Sequence, residues 1–135
     1  MTGGRSQHFP LILEQLTALD VRDGKWQDAA HNSSRALQLN PAGTPLLWYY
    51  DALANFQLGK TEAAEASALK SLAMDPVHTI PNAEQLLAVL LALKGNYVGA
   101  LKHLRNCLTY LPAGSSADLV KQQIAQLEER VRGAK

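Results

Sequence analysis

The sequence has little charge of either sign and a single cysteine. Thirteen Lys and Arg residues stand against twelve Asp and Glu residues, which gives a formal net charge of +1 over 135 residues. No basic excess therefore points to nucleic acid or to an anionic lipid surface as a partner. One cysteine forms neither an internal disulfide nor a multi-cysteine zinc site. The composition thus argues against disulfide scaffolds, zinc-ribbon proteins and nucleic-acid-binding proteins.

Long hydrophobic runs are also missing. The longest run extends from Leu86 to Leu93, which is well short of the roughly 20 residues that a membrane span requires. The residues from Thr2 to His8 are mostly polar or small, so they do not form the apolar region of a secretory signal. If the chain is complete, the cytoplasm is its expected location. If it is a piece of a longer chain, the location stays open.

Four residue types recur at one interval along the chain. Gly24, Gly59 and Gly95 are separated by 35 and then 36 residues. The same interval separates three prolines, three alanines and three leucines: Pro41, Pro76 and Pro112; Ala29, Ala64 and Ala100; Leu37, Leu72 and Leu108. Four series in one register indicate an internal repeat, which is the signature of a repeat architecture.

Each repeat predicts two helices joined at the glycine. The predicted helices cover residues 11–22, 25–39, 45–58, 60–74, 81–94 and 96–110. They are rich in Ala, Leu, Lys, Glu and Gln, with apolar residues three and four positions apart. Proline at positions 10, 45 and 81 suits the first turn of a helix, and a glycine in the left-handed conformation ends one. No run of β-branched residues has the length of a strand, so the fold class is predicted to be all-α.

These residues resemble the tetratricopeptide repeat (TPR) family, whose 34-residue unit has a pattern of Trp, Leu-Gly, Tyr, Ala, Phe and a closing Pro. The matching residues are Leu13, Leu16, Gly24, Trp26, Ala29, Ala36 and Pro41 in the first repeat; Trp48, Ala52, Gly59, Ala64 and Pro76 in the second; and Leu87, Ala88, Gly95, Tyr97, Ala100 and Pro112 in the third. The resemblance implies a right-handed α-solenoid of three helix-turn-helix repeats. The expected boundaries are a flexible N-terminal tail at 1–9, repeats at 10–43, 44–78 and 79–113, and a C-terminal capping helix and tail at 114–135.

The capping helix is predicted from about Ala117 to Arg132, with Ser115 as its N-cap. An apolar stripe runs along it at Val120, Ile124, Leu127 and Val131. A stacked array exposes the apolar side of its last repeat, so a helix with one apolar stripe is the expected cap. A dimerisation stripe is the alternative.

Two polar residues depart from the family pattern. Asp51 and Asn55 occupy positions that usually hold Leu and Tyr. We expect these groups to reach solvent or to cap a neighbour. The alternative is a recognition pair, because residues four apart lie on one face of a helix.

The sequence contains no catalytic motif. A Gly-rich phosphate loop, HExxH, GxSxG and a paired-carboxylate motif are all missing from it. His103 and Cys107 have a spacing that can chelate one metal, but Cys107 takes a position where the repeat packs a small residue, so a buried structural cysteine is the expectation. We therefore predict a protein that is not an enzyme and that has no cofactor and no metal.

The resemblance implies that the first helix of each repeat lines a concave groove. The second and third of these helices are apolar nearly all round. Either this apolar surface is exposed and marks a partner site, or packing inside the superhelix buries most of it. The candidate groove residues are Tyr49, Tyr50, Leu53, Phe56, Gln57, Asn82, Gln85, Leu86, Val89 and Leu93. The predicted function is a non-enzymatic scaffold or adaptor that binds a peptide or helical segment of a protein partner. The alternative is self-association as a homodimer, or docking on another part of a longer chain.

One subclass of the family can be compared directly. TPR domains that bind the C-terminal carboxylate of heat-shock chaperones use Lys and Asn on the first such helix, Asn on the second, and Lys and Arg on the third. The matching positions here hold Glu14, Ala18, Tyr50, Asn82 and Leu86. None of them is basic, and Glu14 would repel a carboxylate. A carboxylate clamp for chaperone tails is therefore not expected.

Overall fold

The computed structural model describes residues 2–133, with side chains from residue 9 onward. Within this range seven α-helices follow one another, and no strand lies between them. The helices are α1 (Thr2–Arg22), α2 (Trp26–Leu39), α3 (Pro45–Gln57), α4 (Thr61–Ala73), α5 (Pro81–Leu93), α6 (Tyr97–Tyr110) and α7 (Ser115–Gly133). The predicted all-α class is confirmed.

The same turn joins the helices of each hairpin. Gly24, Gly59 and Gly95 have φ angles of 72°, 80° and 84°, a conformation that glycine adopts without the penalty of a Cβ atom. The residue after each glycine donates its amide to a carbonyl five positions earlier: Lys25 to Asp20, Lys60 to Asn55 and Asn96 to Leu91, at 2.8–2.9 Å. A Cβ at these glycines would meet nothing within 4 Å, so the φ angle alone demands glycine.

The chain divides into two compact units, Met1–Met74 and Asp75–Lys135. In the first unit α1 packs on α2 and α3 packs on α4, while α3 also packs on α1 and α2. In the second unit α5 packs on α6, and α6 packs on α7. The repeat boundaries predicted at 43/44, 78/79 and 113/114 stay predictions.

Small residues form much of the core. Ala29, Ala36, Ala52, Ala64 and Ala100 have no exposed surface, which allows the helix backbones to approach closely. Larger apolar side chains fill the space around them. In the second unit a cluster contains Ala88, Ala100, Leu104, Cys107 and Val120. Full burial of one large apolar side chain contributes about 1.5–3 kcal/mol, so this cluster is a major stabilising element of the second unit.

The last helix packs through the predicted stripe. Val120 is fully buried, Ile124 and Leu127 pack against the same cluster, and Val131 is half-buried. The cap prediction is confirmed by this packing. The helix begins at Ser115, which is therefore its first residue and not its N-cap.

Two of the three predicted proline starts are correct. Pro45 and Pro81 open α3 and α5, and the Thr44 hydroxyl accepts the amide of Leu47 at 3.1 Å. Pro10 lies inside α1, which begins at Thr2; the domain bounds 1–9 stay a prediction. The predicted start at Pro10 is therefore wrong, although a proline inside a helix removes one backbone hydrogen bond and disfavours the helical conformation.

Candidate functional site

A groove lies in the second unit, between α5, α6 and α7. It encloses about 820 Å³, within the roughly 300–1,000 Å³ of ordinary ligand sites. Ala88 and Ala92 form part of its wall, and their small side chains leave space for a ligand group. The remaining lining residues are Val89, Leu93, Tyr97, Leu104, Gln123, Gln126, Leu127, Glu129 and Arg130.

Polar side chains of α7 link it to α5 and α6 along this groove. The amide of Gln85 donates to the Gln123 side-chain oxygen at 3.0 Å. The guanidinium of Arg130 donates to the Tyr97 hydroxyl at 3.2 Å and lies 5.8 Å from the centre of the Tyr97 ring. The groove therefore combines an apolar lining with polar groups that can orient a ligand.

Five predicted site residues belong to the second unit. Val89 is half-buried and Leu93 is 65% exposed, and both line the groove. Gln85 contacts the groove residue Gln123. Asn82 is exposed but does not line the groove. Leu86 keeps only 7% of its surface and does not line the groove.

The other five predicted site residues lie on α3 in the first unit. Tyr49, Tyr50, Leu53 and Phe56 are half-buried, and Gln57 is exposed. The Tyr49 and Tyr50 rings are 6.0 Å apart. Burial, together with the neighbouring Tyr50, raises the pKa of Tyr49 above its usual value.

A smaller cavity of the first unit lies elsewhere, between the first three helices. It encloses about 360 Å³ and contains none of the predicted site residues. Glu14 and Thr44 both line it, and the Thr44 hydroxyl donates to the Glu14 carboxylate. Glu14 is therefore already engaged within the unit.

Asp51 and Asn55 form an internal network of the first unit. The Asp51 carboxylate accepts the hydroxyls of Ser33 and Ser67, both at 2.6 Å. The Asn55 side chain donates to the backbone oxygen of Asp51 at 2.8 Å and to its carboxylate at 3.2 Å. Asp51 is only 8% exposed, so the recognition-pair alternative is wrong and the polar groups satisfy one another.

A cluster in the second unit was missed from the sequence. Glu84 is buried, and its carboxylate lies 2.6 Å from His103 Nδ1 and 3.6 Å from His78 Nδ1. His78 stacks on Tyr110 at 4.1 Å between ring centres and has a left-handed φ of 56°. These residues come from α5, α6 and the preceding loop, so their meeting depends on helix packing. Glu84, the one charged residue of α5, was the one available signal.

Cys107 is buried, as predicted, and His103 contacts Glu84. Cys107 is fully buried, and burial, with the nearby Glu84 carboxylate, raises the pKa of its thiol to about 11. His103 directs its Nδ1 atom to Glu84. Among the side chains that the structure describes, residues 9–133, no group of three or more His, Cys, Asp or Glu has a metal-binding arrangement.

None of the helices in the described part of the chain is both long and apolar enough to cross a membrane.

Comparison of the coordinates with solved structures identifies the fold as that of a tetratricopeptide-repeat domain. The TPR domain of OM64 from Arabidopsis superimposes with a TM-score of 0.77, at 16% identity, over 90% of this chain and 98% of that one. The second TPR domain of human RPAP3, solved in complex with the HSP70 peptide SGPTIEEVD, gives 0.72 at 19% identity, over 90% and 97%.

The type III secretion chaperone SycD of Yersinia enterocolitica, in complex with a peptide of the translocator YopD, gives 0.71 at 17% identity, over 89% of each chain. No family model and no curated protein sequence matches this chain. The resemblance expected from the repeat register is thus confirmed at the level of the fold.

Proposed function

We propose that this chain is a non-enzymatic protein-interaction module, a scaffold or adaptor, that binds a peptide or helical segment of a protein partner. The observation that carries the proposal is the groove of about 820 Å³ between α5 and α7. Leu93 is 65% exposed at its wall, and contiguous apolar surface of this kind is typical of a partner site.

The groove favours a ligand with large apolar side chains. Because Ala88 and Ala92 are small, an aliphatic or aromatic side chain can enter beside them and contact Val89, Leu93 and Leu127. Each large side chain buried in this way contributes about 1.5–3 kcal/mol before the ordering cost of the peptide is subtracted.

The polar groups of the groove would orient the ligand. A glutamine side chain can donate two hydrogen bonds from its NH2 group and accept two at its carbonyl oxygen. The single hydrogen bond between Gln85 and Gln123 leaves the other donors and acceptors of both side chains for further partners. The remaining donors and acceptors can bind the backbone of a peptide. Asn82 in this unit and the five α3 residues of the first unit stay predicted contacts, and Gln57 is the most accessible of those five.

Similar structures support a peptide ligand but not one particular peptide. The RPAP3 domain and SycD were each solved with a bound peptide. The residues of this chain disfavour a carboxylate clamp, since Glu14 is acidic and Leu86 is buried. We therefore propose an internal apolar segment as the ligand, and neither a chaperone tail, nor nucleic acid, nor a membrane.

The test uses peptides selected from a displayed random library against the wild-type chain. The groove variant carries Val89→Ser and Leu93→Ser; the control carries Leu69→Ser and Val77→Ser, one exposed Leu and one exposed Val that do not line the groove. We expect the groove variant to lose at least about tenfold in affinity by fluorescence anisotropy, since 1.4 kcal/mol corresponds to that factor, while the control binds like wild type. Equal losses in both variants, with intact circular dichroism, would exclude this groove as the site.

A further inference from the structure

A second apolar surface lies on α1 and is formed by different residues. Phe9, Ile12, Leu16 and Leu19 are 46%, 51%, 42% and 45% exposed. Their spacings of three, four and three residues place them on one face of the helix. We call these four residues the α1 stripe.

The α1 stripe is separate from the face by which α1 packs in its own unit. Pro10, Leu13 and Thr17 are buried, and Leu13 belongs to the core cluster with Ala36 and Leu47. α1 thus carries apolar residues on a buried and on an exposed face. A single exposed apolar residue is ordinary on a protein surface. The four residues of the α1 stripe, however, have the spacing of a seam between paired helices.

Charges mark the two ends of the α1 stripe. The guanidinium of Arg35 lies 5.7 Å from the centre of the Phe9 ring. Beyond Leu19, the end of α1, the following turn and the first turn of α2 carry Asp20, Asp23 and Asp28 against Arg22 and Lys25, with Asp23 paired to Arg22. The Phe9 end is therefore positive, and the Leu19 end has an excess of carboxylates.

We propose that the α1 stripe is a self-association surface, at which α1 of one copy packs antiparallel to α1 of a second copy. A two-fold axis between Ile12 and Leu16 brings the same surface of both copies together, so that each Phe9 meets the Leu19 of the partner copy. Antiparallel packing also sets Arg35 of each copy beside the acidic end of the other. Parallel packing would bring like charges together, which is unfavourable.

The first experiment is sedimentation velocity on the whole chain over a wide range of concentration. We expect a particle of twice the 14.7 kDa chain mass to form as the concentration rises. Leu16→Glu places a charge in the seam and should raise the dissociation constant at least about tenfold. Leu69→Glu, at an exposed leucine of α4, is the matched control and should dimerise like wild type.

The second experiment tests the antiparallel arrangement by exchange of charge. Arg35→Glu alone should weaken the dimer, and Arg35→Glu combined with Asp28→Lys should restore it, because the attraction returns with its signs reversed. A wild-type chain that stays monomeric at every concentration overturns the proposal. So does a dimer that survives Leu16→Glu, or a double variant that is no tighter than Arg35→Glu alone.

Discussion

At the scale of single residues, the Asp51 carboxylate joins three helices of the first unit. It lies on α3 and accepts hydroxyls of Ser33 on α2 and Ser67 on α4. We expect Asp51→Ala to lower the free energy of unfolding by about 2–3 kcal/mol, because hydrogen bonds to a charged group are lost and two buried hydroxyls are left without that partner. Urea unfolding measures the change. Gln38→Ala, at an exposed glutamine of α2, is the control and should stay within about 0.5 kcal/mol of wild type.

The sequence left the role of Asp51 open for a physical reason. A serine that donates to a buried carboxylate and a serine that faces water look the same in a sequence, because both are small and polar. Only the packing of α2 and α4 on α3 shows that Ser33 and Ser67 point inward. If Asp51→Ala unfolds at the same urea concentration as wild type, the network does not stabilise the first unit.

At the scale of elements, the loop before α5 depends on an ionised aspartate. Burial would raise the pKa of Asp75, but the amides of Thr79 and Ile80 and the Thr79 hydroxyl donate to its carboxylate, and His78 is nearby; together these lower the pKa below its usual value. A lowered folded-state pKa stabilises the protein above the unfolded-state value of about 3.9, and this stabilisation is lost as the pH falls through the folded-state pKa.

We therefore expect the free energy of unfolding of Asp75→Asn to fall less steeply with decreasing pH than that of wild type. The difference should lie below about pH 5, where a carboxylate begins to bind protons. Urea unfolding at a series of pH values measures the slope. Asp23→Asn, at an exposed position, is the matched control. A slope that Asp75→Asn leaves unchanged would show that the hydrogen bonds to Asp75 do not favour its ionised form.

The elements themselves were predicted unevenly. The three glycine turns were predictable because a positive φ restricts the residue type, and Gly24, Gly59 and Gly95 satisfy it in register. The starts of α1 and α7 were not predicted correctly, since α1 begins eight residues before Pro10 and α7 begins at Ser115 itself, and helix boundaries are the least certain part of such a prediction. Of the candidate groove, Val89 and Leu93 were found by helix position, whereas the role of Leu86 depends on burial that the sequence does not show.

At the scale of the whole molecule, the fold follows from the repeat register, but the groove depends on a helix outside it. Five of the groove residues that were not predicted belong to α7: Gln123, Gln126, Leu127, Glu129 and Arg130. The repeat pattern ends at Pro112, so no repeat position identified them. The capping helix thus has two roles in the second unit, since it covers the core and forms one wall of the proposed site.

Removal of α7 tests the first of these roles with Cys107 as the reporter. The thiol is unreactive while it is buried, because burial holds its pKa near 11 and the thiolate is the reactive form. Deletion of residues 115–135 uncovers the cluster around Leu104 and Cys107, against which Val120 and Ile124 pack. We expect rapid modification of Cys107 by a thiol reagent in the truncated chain, whereas a control that lacks only residues 134–135 reacts as slowly as wild type. A truncated chain whose thiol stays protected would show that α5 and α6 bury Cys107 without the capping helix.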